Sequence, residues 1–435
     1  MVKNFLCPKT IAVIGASEET KKVGNVLMRK LSKFNGEIVP VNPAHTTLLG
    51  KKCYASVKYF SKKIDLAIIA TPASTIKKIL QECAEKKIEN VIIISAGFSE
   101  QGNFQLENEI KSIAKKTGIR ILGPNCFGIA NPYLDLDATF SNSSAKKGDI
   151  AFISQSGALW SFVSDVSASS KIGFSGFVSL GNMIDLDFND FIEYFEKDKK
   201  TKKIILYIER LEEGKKFIEL CKKCKKPIIV IKAGKSAQGS KAAISHTGSL
   251  ATDFKIYEGA FRQAGIKQEK FMEESLNMPI QKSSEIKTNG RKTIILTNAG
   301  GAGALLSDYC EEKKLKLIDL PKNKKNPWDI LGTASATDYE NAIKQINKEY
   351  FHDLLMIVLT PQEMSEPDKI AKGIIKNCNR KKTIVYFLGG NSLKDAKKEL
   401  QKNGFLCFSQ IRNSLEKLKI KSGKTESNIK SGDFT

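Results

Sequence analysis

One histidine of this chain stands in a context suited to phosphoryl chemistry. His246 lies in the run ISHTGSL (244–250), which is rich in small residues and follows a strand-like segment at 227–232. Neutral imidazole is a competent nucleophile toward phosphorus, and a long loop can carry it between two sites. A lone histidine is more often structural, but this context favours a functional one. We expect the other two histidines, His45 and His352, at the surface.

A nucleophilic histidine needs a group that holds one ring N–H, so that the lone pair of the other nitrogen faces phosphorus. A carboxylate usually fills this role. Glu209 directly follows the apolar run 204–208, on the sheet edge where we expect the histidine loop. Glu212 and Glu213 lie nearby but begin a Lys-rich helix, whose N-terminus they complement. Glu209 is therefore the predicted orienting carboxylate.

Two glycine-rich segments are suited to holding phosphoryl oxygens. One follows a predicted strand at 150–153 and the other a predicted strand at 292–297, and each opens a predicted helix. Helix N-termini present free N–H groups and the positive end of the helix dipole to an anion. The predicted phosphate-binding residues are Ser154, Gln155, Ser156, Gly157, Gly300, Gly301, Ala302 and Gly303.

A third group of small, neutral residues follows the strands of the N-terminal region, where open parallel sheets bind their ligands. The run VIGASEETKKVG (13–24) lacks G-x-G-x-x-G, and the second strand ends in Asn42 where an NAD site places an acidic residue. A different phosphate-bearing nucleotide fits better, although some of these residues can simply form turns. The candidate ligand-binding residues are Gly15, Ala16, Ser17, Lys22, Val23, Asn42, Thr71, Pro72, Ser95, Ala96, Gly97 and Asn125.

The scaffold that must position these residues is an α/β fold. Runs of Ile and Val alternate with Lys- and Glu-rich helical segments, as expected for parallel strands buried beneath helices. We predict a Rossmann-like domain at 1–127, a flavodoxin-like domain at 146–280 and a second flavodoxin-like domain at 291–420. Linkers are expected at 126–147 and 281–291, and a disordered tail at 421–435.

Composition excludes several classes of protein. The 435 residues carry a formal net charge of +23, but the excess Lys is dispersed and not arranged as a nucleic-acid surface. Nine scattered cysteines are typical of reduced thiols. Neither a signal peptide nor a run of ~18 apolar residues is evident. We therefore expect a cytoplasmic protein that binds neither nucleic acid nor membrane, and we predict no metal site.

Two short motifs are rejected as functional signals. The spacing of Cys221 and Cys224 matches a redox motif, but both lie at the end of a Lys-flanked helix, where no thiol is acidified. The run Gly234-Lys235-Ser236 imitates the end of a phosphate-binding P-loop, but the first glycine of that motif would fall at Ile229, inside a strand.

Seven motifs, in order, resemble the NDP-forming acyl-CoA synthetases, relatives of succinyl-CoA synthetase, and in particular the alpha subunits of ADP-forming acetate–CoA ligases. The similarity extends over most of the chain. The motifs are VIGASEETKKVG (13–24), PVNP (40–43), ISAGF (94–98), GPNCFGI (123–129), ISQSGAL (153–159), AISHTGSLA (243–251) and TNAGGAGAL (297–305). A departure is Trp328 in the run Asn326-Pro327-Trp328-Asp329, where this family more often has a smaller apolar residue.

The resemblance implies an acid–thiol ligase that works through acyl phosphate. By this resemblance the N-terminal domain binds coenzyme A as a substrate. His246 is the transiently phosphorylated residue, and Glu209 orients its ring. The family passes the phosphoryl group to ADP on an ATP-grasp module, which no block of this chain matches. A separate beta subunit carrying ADP or ATP with Mg²⁺ is therefore implied, in the usual alpha2beta2 heterotetramer.

Two alternatives remain beside the ligase. One is a catalytically silent, CoA-binding regulatory protein, which the retention of His246, Glu209 and both phosphate segments disfavours. The other is an oxidoreductase, which the missing ribose-binding acid disfavours. Acetate is the expected acid, and branched or aromatic acids are left open because the sequence does not place the side chains of the acyl pocket.

Overall fold

The computed structural model describes residues 2–241, 253–280, 286–288, 291–321 and 324–420. His246 and the tail at 421–435 lie outside the described residues, so the predictions made for them stay predictions. Among the described helices, none is both long and apolar enough to cross a membrane.

The first sheet consists of five parallel strands in the order β2-β1-β5-β6-β7. Nearly every residue of these strands is buried, because helices cover both faces. Its strands are β1 (Thr10–Ile14), β2 (Glu37–Val41), β5 (Leu66–Ile69), β6 (Asn90–Ile93) and β7 (Arg120–Leu122), with a small hairpin of β3 (Thr47–Leu48) and β4 (Lys51–Lys52). Its helices are α1 (Lys3–Leu6), α2 (Val23–Lys30), α3 (Ile76–Glu85) and α4 (Phe104–Thr117).

The second sheet has seven strands in the order β14-β13-β12-β10-β11-β8-β9. Its strands are β8 (Gly128–Asn131), β9 (Leu136–Thr139), β10 (Lys147–Ser154), β11 (Phe174–Ser179), β12 (Lys203–Ile208), β13 (Ile228–Lys232) and β14 (Lys267–Glu269). Its helices are α5 (Ala158–Ser169), α6 (Phe188–Lys197), α7 (Gly214–Lys223), α8 (Phe254–Gln263) and α9 (Met272–Ser275).

The expectation of a linker at 126–147 is wrong. Strands β8 and β9 lie within it and extend the second sheet by antiparallel pairing with β11 and with each other. Their polar residues are buried because distant groups satisfy them: Asn131 Nδ2 donates to the Leu6 carbonyl at 2.9 Å, and Lys30 Nζ lies 2.9 Å from Asp137 Oδ2. A strand that contains such buried polar residues does not show the hydrophobic pattern from which strands are predicted.

The third sheet is parallel, in the order β17-β16-β19-β20-β21, and β18 pairs with β16. Its strands are β16 (Lys292–Thr297), β17 (Lys316–Leu317), β18 (Trp328–Asp329), β19 (Leu354–Leu359), β20 (Thr383–Phe387) and β21 (Leu406–Phe408), and β15 (Ile286–Thr288) pairs separately with β22 (Leu418–Ile420). Its helices are α10 (Gly300–Glu312), α11 (Ala336–Glu349), α12 (Pro367–Asn377), α13 (Lys394–Lys402) and α14 (Ile411–Lys417).

The predicted fold class, a Rossmann-like unit followed by flavodoxin-like units, is confirmed. In each sheet five parallel strands run in the order second, first, third, fourth, fifth, and in the third sheet the short strand β18 lies outside this series. One apolar cluster is shared by the second and third sheets and includes Phe152 and Trp160 from one and Ala302 and Leu305 from the other. It packs α5 against α10, which brings the N-termini of these two helices to one place.

Candidate functional site

A cavity of about 410 Å³ lies where the carboxyl ends of strands from all three sheets converge. Its walls include the loops that follow β5, β6 and β7 of the first sheet, the N-terminus of α5, the N-terminus of α10 and the segment that follows β18. This is the position at which open parallel sheets bind ligands. The predicted site residues that line it are Val23, Thr71, Pro72, Ser95, Ala96, Asn125, Gln155, Ser156, Gly157 and Gly300.

The N-termini of α5 and α10 are in contact. A Cβ built on Gly301 would lie 2.4 Å from Ser156 Oγ, so only glycine fits at this point. Neither helix has a side-chain hydrogen bond at its N-cap, which leaves its first-turn N–H groups to the cavity. Gly300 lines the cavity, whereas Ala302 and Gly303 lie further inside the first turn of α10. The pair of helix ends is suited to an anion.

Residue 154 shapes the turn that leads into α5. The Ser154 hydroxyl is buried, donates to the Ser156 carbonyl at 2.7 Å and accepts from the Ser156 N–H at 3.1 Å. Gly157 follows, and a Cβ there would lie 2.2 Å from the Cβ of Phe127. Ser154 and Gly157 therefore fix the backbone, while Ser156 reaches the cavity wall.

Gln155 presents a donor whose orientation is fixed. Its Oε1 accepts from the backbone N–H groups of Glu209 at 2.5 Å and Arg210 at 2.9 Å. Since the oxygen must face these two donors, the amide nitrogen must face the other way. Nε2 is buried and has no hydrogen-bond partner among the residues that the structure describes. Burying a donor without a partner costs about 1–3 kcal/mol, so this amide indicates a ligand that accepts a hydrogen bond.

Glu209 lies immediately after β12 and is 6% exposed. Beside it, the Tyr207 hydroxyl donates to the Gly301 carbonyl at 3.1 Å. Burial, and then the Glu209 carboxylate, raise the pKa of Tyr207 well above its ordinary value, so the phenol stays neutral. A carboxylate thus sits beside the helix ends, as an orienting role requires.

Lys232, the last residue of β13, completes this polar cluster. Its Nζ donates to the carbonyl of Glu209 at 2.9 Å and also to that of Ala233. Burial lowers the pKa of Lys232 to about 8, against the raising effect of Asp308 and Glu209. The amine therefore holds the backbone at the point where Glu209 leaves the strand.

The chain that leads toward His246 is attached to α10. Asp308 accepts hydrogen bonds from the backbone N–H groups of Gly234 at 2.9 Å and Ser236 at 2.8 Å. The segment that imitates a P-loop is therefore bound to a carboxylate of the helix whose first residue is Gly300. Residues 242–252 lie outside the described part of the chain, and the structure does not place His246 relative to Glu209.

In the first sheet, the candidate residues divide into two groups. Six of them line the cavity, as given above. Within this group the Ser95 hydroxyl donates to the Thr71 carbonyl, and Asn125 has a φ of 55° and donates to Asn182 Oδ1 at 3.3 Å. The strand ends therefore face the helix N-termini directly.

The other group does not line the cavity. Asn42 Nδ2 donates to the carbonyl of Ala16 at 2.7 Å, which ties together the ends of the first two strands. Lys22 pairs with Glu19 at the surface. Gly15 has no room for a side chain, because a Cβ built on it would lie 2.5 Å from the carbonyl oxygen of Ala70. Ser17 and Gly97 complete this group of residues.

Sequence reasoning missed several residues of the cavity wall. Among them are Phe127, Phe140, Asp329, Leu331 and Gln362. Asp329 ends β18, so the rule that favours residues at strand ends would have found it had this two-residue strand been predicted. Phe140 and Leu331 lie in irregular segments, where no local pattern identifies them.

Comparisons with known proteins agree with this geometry. Residues 9–132 match the family model described as a CoA binding domain, and residues 147–279 match a succinyl-CoA ligase like flavodoxin domain. A solved structure of Ca. Korarchaeum cryptofilum dinucleotide forming acetyl-coenzyme A synthetase 1, in complex with phosphate and ADP, is 33% identical with a TM-score of 0.62. The match covers 95% of each chain.

Two relatives extend the comparison. The ADP-forming acetate–CoA ligase of Methanocaldococcus jannaschii is 42% identical over 96% of this chain, but the chain spans only 62% of that relative's length. Subunit alpha of acetate–CoA ligase (ADP-forming) II from Pyrococcus furiosus is 41% identical, over 94% of this chain and 95% of the relative. The resemblance found in the sequence is confirmed, and the chain belongs to the ADP-forming acetate–CoA ligase family.

Proposed function

We propose that the chain is the alpha subunit of an acid–thiol ligase that interconverts acyl-CoA, ADP and phosphate with the free acid, CoA and ATP. Acetate is the proposed acid and the cytoplasm the proposed location. The observation that carries the proposal is the contact of the N-termini of α5 and α10 beside the Gln155 amide nitrogen, which has no partner among the described residues. Both lie in a cavity continuous with the strand ends of the first sheet.

In the proposed first step, inorganic phosphate rests between the N-termini of α5 and α10 and attacks the thioester carbonyl. The C–S bond breaks, acyl phosphate forms and the CoA thiolate takes a proton. In this proposal the N–H groups of the helix ends and Gln155 Nε2 hold the phosphate oxygens as charge redistributes, which the cavity position of these groups supports. The first-sheet residues lining the cavity, among them Thr71, Ser95 and Asn125, would bring the thioester end of CoA to this point.

In the second proposed step, a ring nitrogen of His246 attacks phosphorus and the bond to the acyl oxygen breaks, which releases the free acid. Glu209 accepts a hydrogen bond from the other ring N–H and so stabilises the positive charge that develops on the imidazole. An oxygen of ADP then takes the phosphoryl group from His246, giving ATP. Each step is reversible.

The nucleotide site belongs, in this proposal, to a beta subunit with an ATP-grasp module that binds ADP or ATP with Mg²⁺, in an alpha2beta2 heterotetramer. One observation supports a partner: the Pyrococcus furiosus relative, which this chain covers over 95% of its length, is itself a subunit alpha.

The test is the intact mass of the chain after incubation with its beta subunit and ATP, or with acetyl-CoA and phosphate. We expect an acid-labile adduct of the mass of one phosphoryl group that forms with either donor and is absent in His246→Ala. CoA binding without any adduct would instead identify a regulatory protein. Binding of NAD(H) without an adduct would identify an oxidoreductase.

A further inference from the structure

Lys232 joins two parts of the proposed phosphoryl-transfer site. It is 3% exposed, and its Nζ donates to the carbonyl of Glu209 at 2.9 Å and to that of Ala233. Glu209 is the proposed orienting carboxylate, and Ala233 is the first residue after β13, where the chain continues toward His246. One ammonium group therefore connects the end of β12 to the start of the chain that leads to His246.

Other groups also hold the backbone around Glu209. Gln155 Oε1 accepts from the N–H of Glu209 at 2.5 Å, and the Tyr257 hydroxyl accepts from the N–H of Leu211 at 3.3 Å. Lys232 binds the carbonyl that lies between these two contacts. Because both its N–H and its carbonyl are bound, the backbone of Glu209 is fixed, and the direction in which its carboxylate leaves the strand depends on these contacts.

Three electron-rich groups surround the Lys232 nitrogen. Two are the carbonyl oxygens, and the third is the ring of Tyr257, whose centroid lies 4.4 Å from Nζ. An ammonium group can direct an N–H at each of them, and attraction to the aromatic face requires the positive charge. A neutral amine has only two N–H groups, so its lone pair would face one of the three and that contact would be lost. Only the charged lysine satisfies the whole set.

The charge of Lys232 is sensitive to pH because the side chain is buried. Burial lowers the pKa of Lys232 to about 8, whereas Asp308 on α10 and Glu209 after β12 raise it, and Lys235 lowers it. The fourth titratable group facing it is Tyr257 on α8. Lys232 therefore loses its proton at a pH at which an ordinary lysine is still charged.

We propose that Lys232 is a positioning residue for phosphoryl transfer to His246: as an ammonium ion it holds Glu209 and the start of the chain that leads to His246 in one arrangement, and loss of its proton releases them. The inference rests on the proposed function, in which Glu209 orients the ring of His246. Lys232 does not line the cavity. It should therefore affect the rate of phosphorylation and leave KM for phosphate and acetyl-CoA within about two-fold of wild type.

The test is the rate of phosphohistidine formation from ATP, measured by rapid quenching in the enzyme assembled with its beta subunit. ATP is the donor because the CoA thiol would itself ionise in this pH range. Between pH 7.5 and 9.5 the rate in wild type should fall by about 10-fold, as the charged form of Lys232 is lost. A wild-type rate that is constant over this range would overturn the inference, and this measurement needs no variant to fold.

Two substitutions of Lys232 show whether the fall belongs to this residue. Lys232→Arg keeps its charge throughout the range, so its rate should not change with pH. Lys232→Met should be about 10-fold slower than wild type at pH 7.5 and equally insensitive to pH, so that the two rates meet near pH 9.5. If Lys232→Arg loses rate as wild type does, or Lys232→Met matches wild type at pH 7.5, Lys232 does not position the reacting groups.

The pH dependence also separates positioning from a purely structural role. Between pH 8 and the ordinary lysine pKa of 10.5, the unfolded chain binds more protons than the folded one, so this group makes the fold more stable as the pH rises. The rate should fall in the same window. Unfolding that arises from Lys232 therefore cannot explain the loss, and a lysine with a structural role alone would change the stability and leave the rate constant.

Lys226 provides a matched control at the opposite end of β13. Its Nζ also donates to two backbone carbonyls, those of Phe195 at 2.6 Å and Asp198 at 2.5 Å. The five residues of β13 lie between Lys226 and Ala233, together with Pro227. Lys226→Arg and Lys226→Met should keep the pH profile of wild type. A profile altered in the same way as in the Lys232 variants would show a general effect of losing such a lysine and would refute the inference.

Failure of this inference can be told apart from failure of the proposed function. If wild type forms the phosphohistidine, but its rate depends neither on pH nor on residue 232, only the role of Lys232 is wrong. If wild type forms no phosphohistidine at any pH, the proposed function itself fails.

Discussion

The second and third sheets build the same turn twice. Ser154 ends β10 and Thr297 ends β16, and each hydroxyl both donates to the carbonyl and accepts from the N–H of the residue two positions on. The next residues, Gln155 and Asn298, each use a side-chain oxygen to accept the backbone N–H that follows the neighbouring strand. The two turns that lead into α5 and α10, which together form the proposed phosphate site, are therefore equivalent in backbone construction.

The side chains at equivalent positions differ sharply. The register of the strands pairs Ser154 with Tyr207 in one sheet and Thr297 with Val358 in the other, and it pairs Ile208 with Lys232 and Leu359 with Phe387. One residue beyond Ile208 and Leu359, Glu209 of the second sheet corresponds to Thr360 of the third. The equivalent residues are Tyr207, Glu209 and Lys232 in the second sheet and Val358, Thr360 and Phe387 in the third.

The two amides differ in the same way. Asn298 Nδ2 donates to Gln362 Oε1 at 2.6 Å and to the Thr360 carbonyl at 3.0 Å, whereas Gln155 Nε2 has no partner among the described residues. The amide nitrogen at the end of α10 is thus satisfied within the protein, whereas that of Gln155 has no partner among the described residues. In the proposed function both helix ends hold phosphate, and only the second sheet supplies a carboxylate, Glu209, at this strand end.

The largest effect is expected when the Glu209 carboxylate is replaced by an amide. Glu209→Gln should lower turnover by about 10³-fold, because an amide cannot stabilise the charge on the imidazole. The matched change on the other side, Thr360→Ser, should cost no more than a few-fold. Steady-state rates with acetyl-CoA, phosphate and ADP measure both. Comparable losses in the two variants would mean that both halves carry the chemistry.

Gly301→Ala tests whether contact between the helix ends matters. The added Cβ would lie 2.4 Å from Ser156 Oγ and push α5 and α10 apart, and a displacement near 1 Å at a reacting site can cost about 10²-fold in rate. The control is Gly259→Ala, since a Cβ at that exposed position in α8 meets no atom within 4 Å. We expect full activity in the control. If Gly301→Ala has wild-type activity, the close approach is structural only.

Gln155→Glu tests whether the Gln155 amide nitrogen, which has no partner among the described residues, donates to phosphate. The carboxylate can still accept from the two backbone N–H groups but no longer donates, so KM for phosphate should rise about 10-fold. Asn298→Asp is the counterpart. It breaks hydrogen bonds within the protein and should lower the free energy of unfolding by about 2 kcal/mol, as measured by urea denaturation. An unchanged KM for phosphate in Gln155→Glu would remove Gln155 from the phosphate site.

The sequence was sufficient for the central strands because most of them are runs rich in Ile, Val and Leu, such as β12 and β19, which predict buried parallel strands. It failed for β8 and β9, whose Asp137 is satisfied by Lys30 from a distant helix. Gln155, Ser156 and Gly300 could be predicted as candidates because each lies between the end of a strand and the start of a helix, but their proximity depends on the packing of α5 against α10. Phe140 and Leu331 could not be predicted, because they lie in irregular segments that only tertiary packing brings to the cavity.

The smallest expected effect concerns Lys232, whose counterpart Phe387 does not titrate. Its pKa of about 8 lies below the ordinary 10.5, so between these values the unfolded chain binds more protons than the folded one. Stability therefore rises with pH through that window. From pH 7.5 to 9.5, the free energy of unfolding of wild type should rise by about 1–2 kcal/mol relative to that of Lys232→Met. The control is Lys398→Met, at an exposed position. Because both proteins share every other titrating group, a constant difference would mean that Lys232 keeps an ordinary pKa.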